Sequence, residues 1–357
     1  MSDTSFWQTL PHPIVGLAPM DGVTDAACRY ITALYGKPDL TFTEFTAAEG
    51  LRAGADRLME DFYYHPLERP VVAQVFGGDP TAFFGAAVIA SALGFDGIDI
   101  NMGCPARNVT ERGAGAALIR DPERALAIIA ETKAGTEAWA GGISLEEAGI
   151  HERLIPLIHQ RIQEIETLQN APLQRKALPV SVKTRIGYET IVIEDWIREL
   201  LKAKPVAITI HGRTLKQLYT GEADWEAIAR GAAAGKDSGT LFLGNGDITS
   251  VADGKQRAHT AGLDGFLIGR HAIGNPWLFL EQIPTPEQRR EAALAHARYL
   301  HHIFAGRGFV RIRKHLFEYT KFCIGAKEVR MALSRLNTLE DVEELLQRIE
   351  WEPQVRP

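Results

Sequence analysis

The chain has 357 residues, 45% of them hydrophobic and 24% charged, with a formal net charge of −6. This composition excludes a fibrous, low-complexity or disordered chain and leaves room for one large domain plus a smaller one. Cys28, Cys104 and Cys323 are too few and too widely spaced for a disulfide framework or a paired-cysteine zinc site. With no secretory signal and no apolar run of membrane-spanning length, the expectation is a cytoplasmic monomer without a metal centre.

Taken in order, the chain alternates short apolar strands with helical stretches, the rhythm of a parallel α/β sheet. Eight strands are predicted: Ile14 to Ala18, Leu40 to Glu44, Val71 to Phe76, Gly97 to Asn101, Val180 to Arg185, Ala207 to His211, Leu241 to Gly244 and Gly265 to Ile268. Several are near-continuous hydrophobic runs, as strands covered on both faces should be. Eight such units favour a TIM (β/α)₈ barrel over an open sheet. A helix from Pro122 to Lys133 is followed by Gly135, Gly141 and Gly142, then by an amphipathic stretch from Ser144 to Leu168. Residues 134–178 therefore read as an insertion carrying a further helix. Beyond Pro276 the alternation stops. Residues 1–283 are expected to form the barrel, and 284–357 a small helical bundle with helices at Glu287 to Phe304, Val310 to Phe322, Lys327 to Leu333 and Leu339 to Ile349.

The carboxyl ends of the eight strands carry polar residues and glycines, and barrel enzymes bind their ligands at that rim. They include Pro19, Met20, Gln74, Asn101, Lys183, Arg185, His211 and Arg213. Strand four runs through Asp99 and Asn101 into Gly103-Cys104-Pro105. A lone cysteine is more often a small core residue. Here the thiol sits in a polar loop beside Arg107 and Asn108, stiffened by proline, which points to a reactive sulfur. Asn245-Gly246-Asp247 and Gly269-Arg270 follow strands seven and eight, where this fold holds phosphate, and Arg270 is placed for a bidentate contact. No GxGxxG follows the first strand, which argues against a Rossmann dinucleotide site.

Charge is unevenly distributed. Between Arg298 and Arg335 there are nine basic residues against Glu318 and Glu328, a net +7 within a chain whose total is −6. Such a segment suits local phosphate binding.

Together these residues resemble the tRNA-dihydrouridine synthase family. The resemblance rests on Ala18-Pro19-Met20-Asp21-Gly22, Gln74-Val75-Phe76-Gly77, Asn101-Met102-Gly103-Cys104-Pro105, Val182-Lys183-Thr184-Arg185, His211-Gly212-Arg213-Thr214, Gly244-Asn245-Gly246-Asp247, and Gly269-Arg270 leading to Gly274-Asn275-Pro276-Trp277. It implies an FMN-dependent oxidoreductase that uses NADPH or NADH to reduce the C5–C6 double bond of uridines in tRNA. By position, Cys104 is the implied proton donor. Pro19, Met20, Gln74, Lys183 and His211 are implied flavin contacts, and Asn245, Gly246, Asp247, Gly269 and Arg270 implied phosphate-end contacts. Asn101, Arg185, Arg213, Arg311, Arg313 and Lys314 are the expected substrate-side residues. His271 departs from the family, which has a small residue there. A reductase of a free pyrimidine is the alternative within flavin barrels, and it has no need of a basic helical tail. A non-catalytic RNA-binding homologue is the alternative outside enzymes.

Overall fold

The structure is a computed structural model describing residues 5–353. Eight parallel strands, β1 (Ile14–Leu17), β2 (Thr41–Ala47), β3 (Val71–Phe76), β4 (Gly97–Met102), β5 (Val180–Gly187), β6 (Ala207–Thr214), β7 (Leu241–Asn245) and β8 (Gly265–Ile268), lie in the order β1-β8-β7-β6-β5-β4-β3-β2. Gly16 pairs with Leu40, and the Leu17 N–H donates to the Leu40 carbonyl at 3.1 Å, which closes the sheet into a barrel. Every predicted strand is present.

Helices cover the outside: α1 (Ala26–Tyr35), α2 (Ala48–Arg52), α3 (Pro80–Ala92), α4 (Arg107–Thr110), α5 (Pro122–Ala140), α6 (Ile155–Gln169), α7 (Ile193–Leu201), α8 (Trp225–Ala234) and α9 (Val251–Ala261). Outward-facing strand residues such as Val71, Ile98, Ile100, Val182 and Ile210 pack with α3, α5, α7 and α8 into the largest apolar core. At the amino ends of the strands, Trp7 is fully buried against Phe42, Val72, Ala207, Leu243 and Leu267 and fills the barrel floor. The opposite end is left for the polar side chains.

The stretch after β4 departs from its predicted shape. The expected break at Gly135 is absent, because α5 runs unbroken to Ala140. A Cβ at Gly135 would stand 2.4 Å from the Phe84 carbonyl oxygen and 2.9 Å from the Ala87 Cβ. The glycine lets α5 and α3 touch backbone to backbone. Residues 144–154 form turns instead of helix, with Gly149 at φ +70°, and the helix starts only at Ile155 with proline in its first turn. Between β4 and α5 a 3₁₀ segment, Gly115–Arg120, follows the Cys104 loop.

After β8 the chain forms α10 (Pro286–Ile303), α11 (Arg313–Tyr319), α12 (Ala326–Leu333) and α13 (Leu339–Arg348). Their apolar faces share a separate core, Leu300, Phe309, Ile312, Leu316, Leu333 and Leu346, which reaches Ala27 of α1 and Trp277. Tyr30 stacks on Tyr299 at 4.0 Å, and Glu60 pairs with both Arg307 and Arg311 across the same seam. The helical tail thus packs directly against the first helix of the barrel.

Gly135→Leu is expected to destabilise the fold by about 1–3 kcal/mol through overpacking, more than the roughly 1 kcal/mol of helix propensity it gains. Urea unfolding measures the balance. An unchanged or raised midpoint would mean that α3 and α5 separate freely.

Candidate active site

A cavity of about 790 Å³ opens at the carboxyl ends of the strands. Register explains its lining. Asn101 is paired with Lys183, Arg185 with His211, His211 with Asn245, and Asn245 with Leu267, so residues two apart on each strand come to one face. The loop after β1 adds Pro19, Met20 and Asp21, and the loop after β8 adds Gly269, Arg270 and His271.

Cys104 lines this cavity and is 8% exposed. Its loop is held from below by a chain of hydrogen bonds. The Ser181 hydroxyl donates to Asp99 Oδ1 at 2.6 Å, and Gln74 Nε2 donates to Asp99 Oδ2 at 2.7 Å. This turns Gln74 Oε1 towards Asn101, whose Nδ2 donates to it at 3.0 Å. Asn101 Oδ1 then accepts the N–H groups of Gly103 (3.1 Å) and Cys104 (2.8 Å). An ionised carboxylate only accepts, so Asp99 sets the direction of every amide in the chain. From the side, Arg185 Nε donates to the Gly103 carbonyl at 2.6 Å.

The cations are partly desolvated. Burial, then the Arg185 charge, pushes Lys183 down to about 8, and burial pushes Arg185 down to about 10. His211 is held well below its ordinary value by burial and then by Lys183, so it is neutral. The Cys104 thiol is raised, mainly by burial, with the Asp21 charge adding to the effect and the Ala106 N–H opposing it. A raised thiol remains protonated at neutral pH, the state an acid needs.

Of the predicted site residues, Pro19, Met20, Asn101, Cys104, Lys183, Arg185, His211, Arg213, Asn245, Gly246, Asp247, Gly269 and Arg270 line the cavity together. Gln74 does not. It is fully buried beneath Asn101 and positions that amide. Four arginines expected on the substrate make contacts within the protein, Arg185 through the Gly103, Thr214 and Leu218 carbonyls. Arg213 donates to the Thr220 and Gly221 carbonyls and to Asp247, while Arg313 donates to Leu336 O and Asn337. Arg311 pairs with Glu60. Lys314 points towards the loop after β1, its Nζ 3.7 Å from where a Cβ on Gly22 would stand. Asp247 accepts from Arg213, Arg270 and the Ala223 N–H, so it holds the two arginines and is not itself turned to an anion. His271 is exposed at the edge of the cavity.

Several lining residues were not anticipated. Tyr219 (65% exposed) and Leu218 stand on the loop after β6, and Phe45 lies edge-on to Phe76 at 4.9 Å. A tyrosine between Leu218 and Gly221 in a polar loop carries no periodic signal. Asp99 did carry one, since it shares a strand face with Asn101.

An eight-stranded parallel barrel with a cationic, thiol-bearing cleft at the carboxyl ends of its strands is the architecture of a barrel enzyme. The sequence matches the dihydrouridine synthase family over residues 16–138 and 157–353, and the chain belongs to that family. The unmatched residues between these two segments fall within the stretch read as inserted. It is accordingly a flavin-dependent oxidoreductase. A probable tRNA-dihydrouridine synthase of Staphylococcus epidermidis is 31% identical over 362 residues, covering 97% of this chain and 96% of that protein. A probable tRNA-dihydrouridine synthase 2 of Bacillus subtilis is 32% identical over 292 residues, covering 80% and 77%. Among solved structures, DHODH from Eimeria tenella matches with a TM-score of 0.45 at 12% identity, covering 72% of this chain and 76% of that one.

The cavity fits a flavin. Its volume is in the range of cofactor sites, and one wall is apolar (Ala18, Pro19, Leu267). Lys183 donates to Asn245 Oδ1 at 3.0 Å, which accounts for one of its three donors beside the cavity. Gly246, at φ +128°, has no room for a side chain, since a Cβ would meet Ala223 at 2.6 Å, and so keeps its backbone at the cavity wall.

Cys104 should alkylate with a pH midpoint above that of an unhindered cysteine, slowly at neutral pH and faster as pH rises. Peptide-resolved mass spectrometry after iodoacetamide pulses separates it from Cys28 and Cys323. Fast labelling of Cys104 at pH 6.5 would instead identify a thiolate.

Proposed function

We propose that the chain reduces the C5–C6 double bond of uridine in tRNA, with FMN as the resident flavin and NADPH or NADH as the source of electrons. The family match and the near-full-length relatives support the reaction. The observation that carries the residue roles is the Cys104 thiol, its pKa raised by burial, opening onto the same cavity as Lys183 and His211.

A flavin held by these residues would, when reduced, supply hydride chemistry at C6 of the pyrimidine. The C5–C6 bond is conjugated to the C4 carbonyl, so charge builds at C5, and Cys104 delivers the proton there. Lys183, buried and in contact with Asn245, holds positive charge against the cofactor and lowers the cost of the negative charge that gathers around it. Gly269 and Arg270 receive the phosphate end, with Asp247 fixing the Arg270 guanidinium. Asn101 holds the Cys104 backbone at the level of the base.

A uridine reaches this depth only by leaving its stack, which costs a few kcal/mol and less in a loop of folded RNA. The basic tail offsets that cost through phosphate contacts. Arg311 and Arg313 are engaged within the protein, so the exposed Lys327, Arg330 and Arg335 and the inward-turned Lys314 take this role. Arg185 and Arg213 act by holding the loops that frame the base.

Cys104→Ala should keep bound flavin and tRNA affinity while turnover falls about 10²–10⁴-fold. Dihydrouridine formed per enzyme per minute on unmodified tRNA reads this directly. Undiminished turnover would remove Cys104 from the reaction, and a variant that loses its flavin would make the thiol a binding residue.

A further inference from the structure

Away from the cavity, the seam between barrel and tail encloses three buried side chains that face one another. Asp25 is the N-cap of α1, His296 lies on α10 and His315 on α11, and they are 4%, 1% and 0% exposed. One potential ligand atom from each lies within 4.8 Å of the other two. Asp25 Oδ1 accepts the Cys28 N–H at 2.9 Å, while Oδ2 is buried without a partner. His296 Nδ1 faces the Tyr319 hydroxyl at 3.4 Å, while Nε2 has none. Neither His315 nitrogen makes a hydrogen bond of full geometry, although one faces the Val23 carbonyl.

Buried polar atoms are normally satisfied, and a knot of four that are not calls for an unseen partner. A proton passed between two of these groups satisfies one pair and leaves the third. A cation satisfies all three lone pairs at once. The outward-facing contacts of His296 and Asp25 are those that orient metal ligands in known sites: one ring nitrogen on a hydroxyl, one carboxylate oxygen on an amide.

Acids and bases both surround the cluster. Glu44, Asp61 and Glu68 lie nearby with Arg29, Lys314 and Arg161, and Arg29 is paired with Glu68 at 2.8 Å. Burial, then Asp25 and Asp61, hold Glu44 up to about 7.

We propose that Asp25, His296 and His315 bind one divalent transition-metal ion of the zinc class, which bolts the helical tail to the barrel. The mixed imidazole and carboxylate donors suit zinc, with water in the fourth position. Zinc–ligand bonds of about 2.0–2.1 Å require donor separations of roughly 3.3–3.5 Å for a tetrahedral ion, inside the observed limit. The site contributes no ligand to the active-site cavity, so it stands whether or not the proposed reaction does.

The test uses the flavin-loaded full chain, dialysed against zinc, desalted and analysed by plasma mass spectrometry. About one zinc per chain is expected, falling at least tenfold in His296→Gln and in His315→Gln. Chelation should lower the Tm of the wild-type protein by at least about 4 °C, with zinc restoring it. Less than about 0.1 metal per chain, together with a Tm indifferent to zinc and chelator, would overturn the proposal and leave an ordered water bridging the histidines. Stoichiometric zinc retained by both variants would also overturn it by putting the ion elsewhere. Should the variants not fold, the wild-type metal content and the chelator shift decide.

Discussion

The geometry of the active site depends on one carboxylate buried inside the barrel. Asp99 lies between Ser181 and Gln74, and burial raises it to about 6 against that of an ordinary aspartate. A raised carboxyl pKa means that the ionised form weakens folding at neutral pH, a penalty that fades as pH falls through about 6. Two hydrogen bonds and the Lys183 charge offset part of it. In return the carboxylate fixes the order of donors and acceptors through Gln74 and Asn101 up to the Cys104 backbone. A neutral side chain there would leave both amides free to rotate, and the thiol loop would lose its support from below.

The same economy governs the arginines. Arg185, Arg213 and Arg313 lie in segments that suggest anion contacts, yet each directs its guanidinium at backbone carbonyls. A guanidinium offers five donors in a rigid fork, enough to tie a loop in several places at once. Arg185 joins the Cys104 loop to Thr214 and Leu218, and Arg213 joins β6 to Gly221 and to Asp247. Carbonyl contacts leave the Arg185 charge in place at the cavity, whereas Asp247 offsets that of Arg213.

Much of this was legible in the sequence, for physical reasons. Strands buried on both faces read as apolar runs, and polar residues at their carboxyl ends have few other places to go, so the eight strands and most of the lining could be read directly. What was hidden depends on contacts between distant segments. That Gly135 brings two helices together, and does not break one, follows only from Phe84 and Ala87 lying opposite it. That Gln74 sits under Asn101 and not on the cavity follows from strand register, since Gln74 pairs with Asp99. Tyr219 belongs to a loop whose path is set by Arg185 and Arg213, and no local pattern encodes that.

The tail raises the last question of construction, because a basic segment cannot both bind the acidic body of its own chain and remain free for phosphate. The structure divides the task along the segment. Arg307 and Arg311 close on Glu60, Tyr299 stacks on Tyr30, and the buried histidines meet Asp25, all on the side facing α1. Lys327 and Arg330, on α12, are on the exposed side with Arg335 just beyond them. The ion pairs of Glu60 thus lie at the edge of the seam with their arginines partly in water, while Lys327, Arg330 and Arg335 are exposed, where salt screens them. The tail packs on the barrel through the α1 side, so under the proposed function an RNA on the outer face would be held in register with the cavity that Cys104 lines.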